Sequence, residues 1–279
     1  MSKIALVTGA TDGIGRATAL ELARDGYTLH ILGRNRERGE SALAAIREIS
    51  PERNHRVFRV DLGSIPACNG FLDDYIAIGD RLELLVLNAN AYTKKTSLSA
   101  EGIETTFAVG CVSRYLFSVR LSPLMEAATN ARVVHIGDSR SLRKIDYRGI
   151  ARGSLSILKA TGQSYSGDTL MAHFLNPLGH TRIPHETIYP GVVNTRQIRE
   201  QPLYIRLLAK LLGLLEPEES GRRIAAHIRA TVPREVAGKY FKLEREARPS
   251  RRLAGSREAF EALVRYLEEK TGVPLDDMV

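Results

Sequence analysis

Residues 8–15 read Thr-Gly-Ala-Thr-Asp-Gly-Ile-Gly and join a short apolar run, residues 3–7, to an amphipathic helical pattern carried by Ile14, Ala17, Leu20, Leu22 and Ala23. A glycine-rich turn between a buried strand and a helix start leaves backbone N–H groups unpaired and aimed at one point, which is an anion site of the kind that holds a pyrophosphate. Gly9 and Gly13 permit the turn and the close approach of phosphate oxygens, and Gly15 lets the helix sit tightly on the sheet. This feature commits the first forty residues to a strand–turn–helix–strand unit and so constrains everything that follows.

Apolar runs alternate with helical patterns through the rest of the chain. Strands are expected over residues 27–32, 56–60, 82–87, 131–136 and 185–189, and helices over 35–49, stopped by Pro51, and over 101–128. Strict alternation implies an α/β fold, a doubly wound parallel sheet covered on both faces. The 279 residues contain no internal repeat and no linker long enough to divide them, so a single domain is expected. Two polar or leucine-rich excursions break the regularity. Residues 139–162 follow the fifth strand. Residues 197–215 follow the sixth and include Leu203, Leu207, Leu208, Leu211, Leu212, Leu214 and Leu215. Ligands on open α/β sheets bind beyond the carboxyl ends of the strands, so a substrate lid is expected near 195–215, with a packed helix or subunit contact as the alternative.

Composition narrows the partners. The formal net charge is +8, but the arginines are spread along helical patterns expected to face solvent rather than gathered in one tract with aromatics. That distribution suits anionic small ligands and argues against nucleic acid. Cys68 and Cys111 show no metal-ligand spacing and suggest a reducing compartment without disulfides. No signal peptide precedes the first strand and no apolar run approaches the ~20 residues that span a bilayer. The expectation is a cytoplasmic protein without a transmembrane segment, a possible homo-oligomer, acting on a small molecule.

With these motifs in order, the chain resembles the short-chain dehydrogenase/reductase family, in particular its retinol-dehydrogenase-like members, along almost its whole length. The turn matches TGxxxGxG. Asp61-Leu62 is similar to the acidic-plus-apolar pair that contacts adenine, and Leu87-Asn88-Ala89-Asn90 is similar to the NNAG motif with Asn90 in place of glycine. Pro190-Gly191 matches the PG motif, and Thr195 a threonine that contacts the nicotinamide amide. Gly238-Lys239-Tyr240-Phe241 resembles a C-terminal segment of those members. The resemblance implies a nicotinamide dinucleotide held by Gly9, Thr11, Asp12, Gly13, Ile14, Gly15, Arg34, Asp61, Leu62, Asn88 and Thr195. Arg34 ends the second strand where an acidic residue would bind the ribose 2′-hydroxyl. A guanidinium there matches a 2′-phosphate, which points to NADP(H).

The resemblance also implies an Asn, Ser, Tyr, Lys tetrad, and here the chain departs. The tyrosine falls on Tyr165, but the lysine position is Thr169, the serine position Asp138 and the asparagine position Gly110. Without the lysine, Tyr165 lacks the cation that favours phenolate, and a carboxylate at Asp138 opposes it further. A phenol can still donate a proton, so reduction is favoured over alcohol oxidation. Tyr165 and Asp138 are the candidate catalytic residues. Ser139, Ser141, Lys144, Lys159 and His173 are possible substitutes for the missing groups, and Asp168 is expected to face solvent. The expectation is an atypical NADPH-dependent reductase of a bulky lipophilic carbonyl compound. The alternatives are a non-redox isomerase, dehydratase or cyclase, or a catalytically inactive nucleotide-binding protein.

Overall fold

The structure, a computed structural model, describes residues 3–91, 95–138, 144–199, 213–247 and 257–278. The expected strands form: β1 (Lys3–Thr8), β2 (Tyr27–Gly33), β3 (Arg56–Arg59), β4 (Leu84–Leu87), β5 (Arg132–Ile136) and β6 (His185–Tyr189). Two further strands, β7 (Tyr240–Lys242) and β8 (Arg245–Ala247), lengthen the sheet to the order β3-β2-β1-β4-β5-β6-β7-β8. Every pairing is parallel except β7 with β8. The direction of the order reverses between β1 and β4, which opens a crevice at their carboxyl ends. The phosphate turn lies at that crevice.

Helices α1 (Gly13–Arg24) and α2 (Arg36–Ile49) lie on one face of the sheet, and α3 (Ile65–Ile78) on the other. Asn35 caps α2 by accepting a hydrogen bond from Arg38 N at 2.9 Å. Ser64 caps α3, which ends at Gly79 in the left-handed conformation.

The single helix expected over 101–128 is instead four pieces: α4 (Thr105–Phe107), a π-helical stretch (Ala108–Val112), α5 (Ser113–Arg120) and α6 (Ser122–Glu126). Glu104 starts it, its buried carboxylate accepting from Phe107 N at 2.9 Å and Thr106 Oγ1 at 3.1 Å. Pro123, which has no N–H to give, lies in the first turn of α6.

Then follow α7 (Tyr147–Arg152), α8 (Ile157–Phe174), α9 (Arg196–Arg199), α10 (Pro217–Ala230) and α11 (Arg257–Thr271). α10 packs on α1. α11 covers the outer side of α5 and α8, burying Phe260, Leu263 and Leu267 with Tyr115, Val119 and Met171. Much of the leucine-rich excursion, residues 200–212, and with it most of the expected lid, lies outside the described residues. Its base is closed by a bridge between Val193 and Leu215 at the end of β6. Among the described residues no helix is long and apolar enough to cross a membrane.

The expectation that the arginines face solvent is corrected at two positions. Arg114 and Arg132 are buried, because each finds a carboxylate and backbone carbonyls inside the fold. Arg132 reaches Glu186 at 3.2 Å and Ile228 O at 2.9 Å, and His227 meets the other oxygen of Glu186 at 2.7 Å. Both cysteines are free and buried. Burial, with Asp61 and Glu101 nearby, pushes the Cys68 thiol up to about 12.

His30 on β2 is buried, its Nδ1 hydrogen-bonded with the Tyr75 hydroxyl at 2.6 Å. Burial, with Arg56 adding to it, lowers its pKa from 6.5 to about 4. The folded imidazole therefore stays neutral while the unfolded one takes up a proton, and stability is lost as pH falls through that window. Between about pH 7 and pH 5 this group alone should cost about 2 kcal/mol. Urea denaturation at the two pH values checks it: His30→Gln should show a smaller loss than the native chain.

Candidate functional site

The turn is held rigidly before any ligand is considered. The Thr8 hydroxyl donates to Val86 O at 3.3 Å and accepts from Asn88 N at 3.0 Å and Ala89 N at 3.1 Å. The Asn88 amide donates to Thr8 O and Gly9 O at 3.1 and 3.2 Å. Asn88 thus clamps the turn to β4. Gly9 adopts φ +65°, and a Cβ there would stand 2.9 Å from Ala89 Cα, so only glycine fits. Gly15 is buried against Gly9 O and the Asn88 amide.

Asp12 caps α1, its Oδ1 accepting from Gly13 N at 2.8 Å, and its Oδ2 lies 3.6 Å from Arg38. Thr11 packs over Gly33, at the end of β2, and Ile14 packs on the core below. Across the crevice, Thr195 Cγ2 lies 3.4 Å from the position a Cβ on Gly13 would take. The structure therefore brings Thr195 to the phosphate turn.

Beside the turn, a cleft of about 420 Å³ is lined by Arg34, Arg59, Val60 and Asp61. Asp61 is exposed and its Oδ1 accepts from Gly63 N at 3.0 Å, whereas Leu62 points into the core. Arg59 was not singled out from sequence. The register was the available signal: Gly33 pairs with Arg59, so the carboxyl ends of β2 and β3 deliver Arg34 and Arg59 to one place. The cradle at Gly9 and Gly13 and the helix start behind it fit the pyrophosphate of a dinucleotide, with Arg34, Arg59 and Asp61 in the cleft beside it.

At the carboxyl end of β5, Asp138 is half-buried, and so is Tyr165 on α8. Tyr165 Cδ1 lies 3.8 Å from the position a Cβ on Gly137 would take, so the phenol ring packs against the backbone one residue before Asp138. Thr169, one turn further along α8, is buried. Lys144 and Lys159 are exposed. His173 is half-buried and makes a 2.8 Å bond with Gly238 O. Ser139 and Ser141 lie outside the described residues.

Asp168 corrects a sequence expectation most plainly. It does not face solvent but is fully buried, paired with the Arg114 guanidinium and bonded to His135 Nδ1 at 2.6 Å. Arg114 also donates to Ala89 O and Ile136 O, each at 3.1 Å. His135 Nε2 continues the chain to His185 Nδ1 at 2.9 Å. Burial, with the neighbouring His135, holds the His185 pKa well below its usual value. The partners of Asp168 lie 54 and 33 residues away in sequence, beyond any local pattern.

This fold and crevice define a doubly wound α/β protein with an anion-binding turn at its switch point, and the comparisons give the family. The short chain dehydrogenase family matches residues 3–148. Polyprenol dehydrogenase of Mus musculus is 31% identical over 262 residues, covering 88% of this chain and 77% of that protein. Retinol dehydrogenase 12 of Homo sapiens is 27% identical over 243 residues, covering 86% of this chain and 77% of its own length. The structure of a short chain dehydrogenase from Burkholderia cenocepacia J2315 in complex with NADP superimposes with a TM-score of 0.67 at 20% identity, covering 87% of this chain and 96% of that one. The chain belongs to the short-chain dehydrogenase/reductase family, whose enzymes are typically NAD(P)-dependent oxidoreductases.

The buried ion pair is the testable core of the site. Asp168→Asn leaves the Arg114 charge uncompensated and should cost about 3–5 kcal/mol in urea denaturation, and Arg114→Met should cost as much for the opposite reason. A loss below about 1 kcal/mol in both, the range of a surface ion pair, would show that the pair does not tie the site together.

Proposed function

We propose that this protein is an NADPH-dependent reductase of a bulky lipophilic carbonyl compound, acting through Tyr165. The observation that carries the cofactor is the cleft lined by Arg34, Arg59, Val60 and Asp61, to which the paired ends of β2 and β3 deliver both guanidiniums. Neither strand end offers an acidic residue in place of Arg34, and Asp61 lies further along the chain, after β3. The substrate class is supported by the relatives named above, a polyprenol dehydrogenase and a retinol dehydrogenase.

The chemistry that NADPH would supply when bound is hydride for the carbonyl carbon. The chain's own residues do the rest. Gly9, Gly13 and the start of α1 would hold the pyrophosphate, and Arg34 and Arg59 would pair with the 2′-phosphate. Thr195 closes the crevice opposite Gly13. Tyr165 donates its phenolic proton to the carbonyl oxygen. Residues 110, 138 and 169 are Gly, Asp and Thr where the family resemblance places Asn, Ser and Lys. No ammonium stands at 169 to favour phenolate, so Tyr165 serves better as an acid than as a base, and the direction is reduction. Asp138 takes the serine position, two residues after the end of β5.

Titration of both cofactors tests the first half. NADP(H) should bind more tightly than NAD(H), and Arg34→Ala should weaken NADP(H) alone by about 1.5–3 kcal/mol, the range of one charge-assisted contact. Arg59→Ala should act in the same direction. Equal affinities in the native chain would overturn the assignment. NADPH oxidation with a panel of long-chain aldehydes and ketones tests the second half. Tyr165→Phe should lower kcat about 10²–10⁴-fold with cofactor binding retained. Product formed without NADPH consumption would instead favour a non-redox reaction at Asp138 and Tyr165.

A further inference from the structure

Of the large apolar side chains that stand in solvent among the described residues, Leu158 in the first turn of α8 is the most exposed, at 81%, and Leu98 in the loop after β4 is 44% exposed. A lone surface leucine is ordinary. These two differ in where they lie and in what surrounds them.

Three segments are stitched together here. The Thr96 hydroxyl donates to Leu155 O at 2.7 Å, and Glu104 N donates to Ile150 O at 3.1 Å. Leu98 pairs with Glu104, and its side chain lies over Gly153, with Cδ2 3.1 Å from the position a Cβ there would take. The loop after β4, α7 and the start of α8 therefore form one continuous surface. In a parallel sheet the helices start beyond the carboxyl ends of the strands, where ligands bind. The loop that leads into α4 and the first turn of α8 thus lie on the same side of the sheet as the crevice.

The charges on this surface have one sign. Lys95, Arg148, Arg152 and Lys159 are all exposed, and none makes an ion pair with a described residue. Arg148 and Arg152 are four apart on α7 and share a face. Residues 95–98 and 147–159 contain no carboxylate. Asp146, just before them, caps α7 by accepting from Gly149 N at 2.9 Å, and exposed Lys144 offsets its charge. Glu101 is turned towards α3, where it accepts from Ile65 N at 3.0 Å.

We infer that this surface docks the protein on an anionic lipid bilayer, with Leu98 and Leu158 entering the headgroup layer and the four cations pairing with lipid phosphates. Exposed leucines among unpaired cations match such a surface in both of its properties, its apolar interior and its negative charge. Other occupants fit less well. Four like charges repel a second copy docked face to face. Nucleic acid binds where bases can stack on exposed rings, and the aromatic side chain here, Tyr147, is half-buried against Tyr266, with 4.8 Å between ring centroids. The protein then lies on a membrane without crossing one. As the source of a lipophilic substrate, the bilayer rests on the reductase reading above, but the docking itself does not.

Cosedimentation of the full chain with vesicles tests the docking without turnover. The native chain should sediment with phosphatidylcholine vesicles that contain phosphatidylserine, far less with phosphatidylcholine alone, and should be released by salt. Leu158→Ser should weaken the partition about tenfold, the effect of one inserted leucine. Arg148→Glu combined with Arg152→Glu should weaken it more than about 20-fold, since each cation near an anionic surface contributes about fivefold. These side chains are exposed, so melting temperatures should not change. No sedimentation with the anionic vesicles overturns the proposal. So does binding that both variants leave unchanged, which assigns it to another surface. Retention on polyglutamate beads without vesicle binding gives this surface to an acidic protein and overturns it as well. The link to turnover is read separately. With a long-chain aldehyde dissolved in the anionic vesicles, the double variant should lose NADPH oxidation; with a short water-soluble aldehyde it should not. Equal losses with both overturn that link. A native chain that consumes no NADPH with either aldehyde defeats the reductase reading instead, and the vesicle result then decides the docking alone.

Discussion

The guanidinium of Arg114 is the constraint around which the candidate site is assembled. It is almost wholly removed from water, which is costly unless every available contact is made. It meets the Asp168 carboxylate on α8, the Ala89 carbonyl after β4 and the Ile136 carbonyl at the end of β5. One side chain from α5 thus fixes three other segments, and all three border the crevice. Asp168 is held in turn by His135, and His135 by His185 on β6. Tyr165 and Thr169 flank Asp168 on α8, so their placement is inherited from this buried pair.

The cofactor end depends on a smaller device of the same kind. The Thr8 hydroxyl and the Asn88 amide stitch the end of β1 to the loop after β4. The phosphate turn is therefore rigid, and its N–H groups do not have to be organised when an anion arrives. Ala89 joins the two devices, since its N–H bonds Thr8 and its carbonyl bonds Arg114. The loop after β4 is where the binding end and the reacting end of the crevice are mechanically connected.

Much of this was legible in the chain. The turn at 8–15 and the alternation of apolar runs place six strands within two residues of where they form. Asn35 and Pro51 bound α2 as read, since a cap and a breaker act locally. The break of 101–128 was harder. Its apolar spacing is helical throughout, and nothing local marks the π-helical stretch, where Val109 packs into one core cluster and Cys111 and Val112 into another. β7 and β8 are three residues each, too short for a periodic signal; β7 forms on the edge that β6 offers, and β8 on the edge of β7.

The sequence by itself determined the class of fold, the anion-binding turn and the residue types at positions 34, 110, 138, 165 and 169, because these follow from local backbone preference and from one motif's spacing. The tertiary structure alone decided that Asp168 is an interior partner of Arg114 rather than a surface charge, that Arg59 shares a cleft with Arg34, and that Ser164 fills the space over Gly110. The physical reason is common to the three. Each depends on groups tens of residues apart meeting in space, at an exposed cleft for Arg34 and Arg59 and away from water for Asp168 and Ser164, where a charge or hydroxyl must find a partner. Which partner it finds is set by strand register and helix packing rather than by its neighbours in the chain.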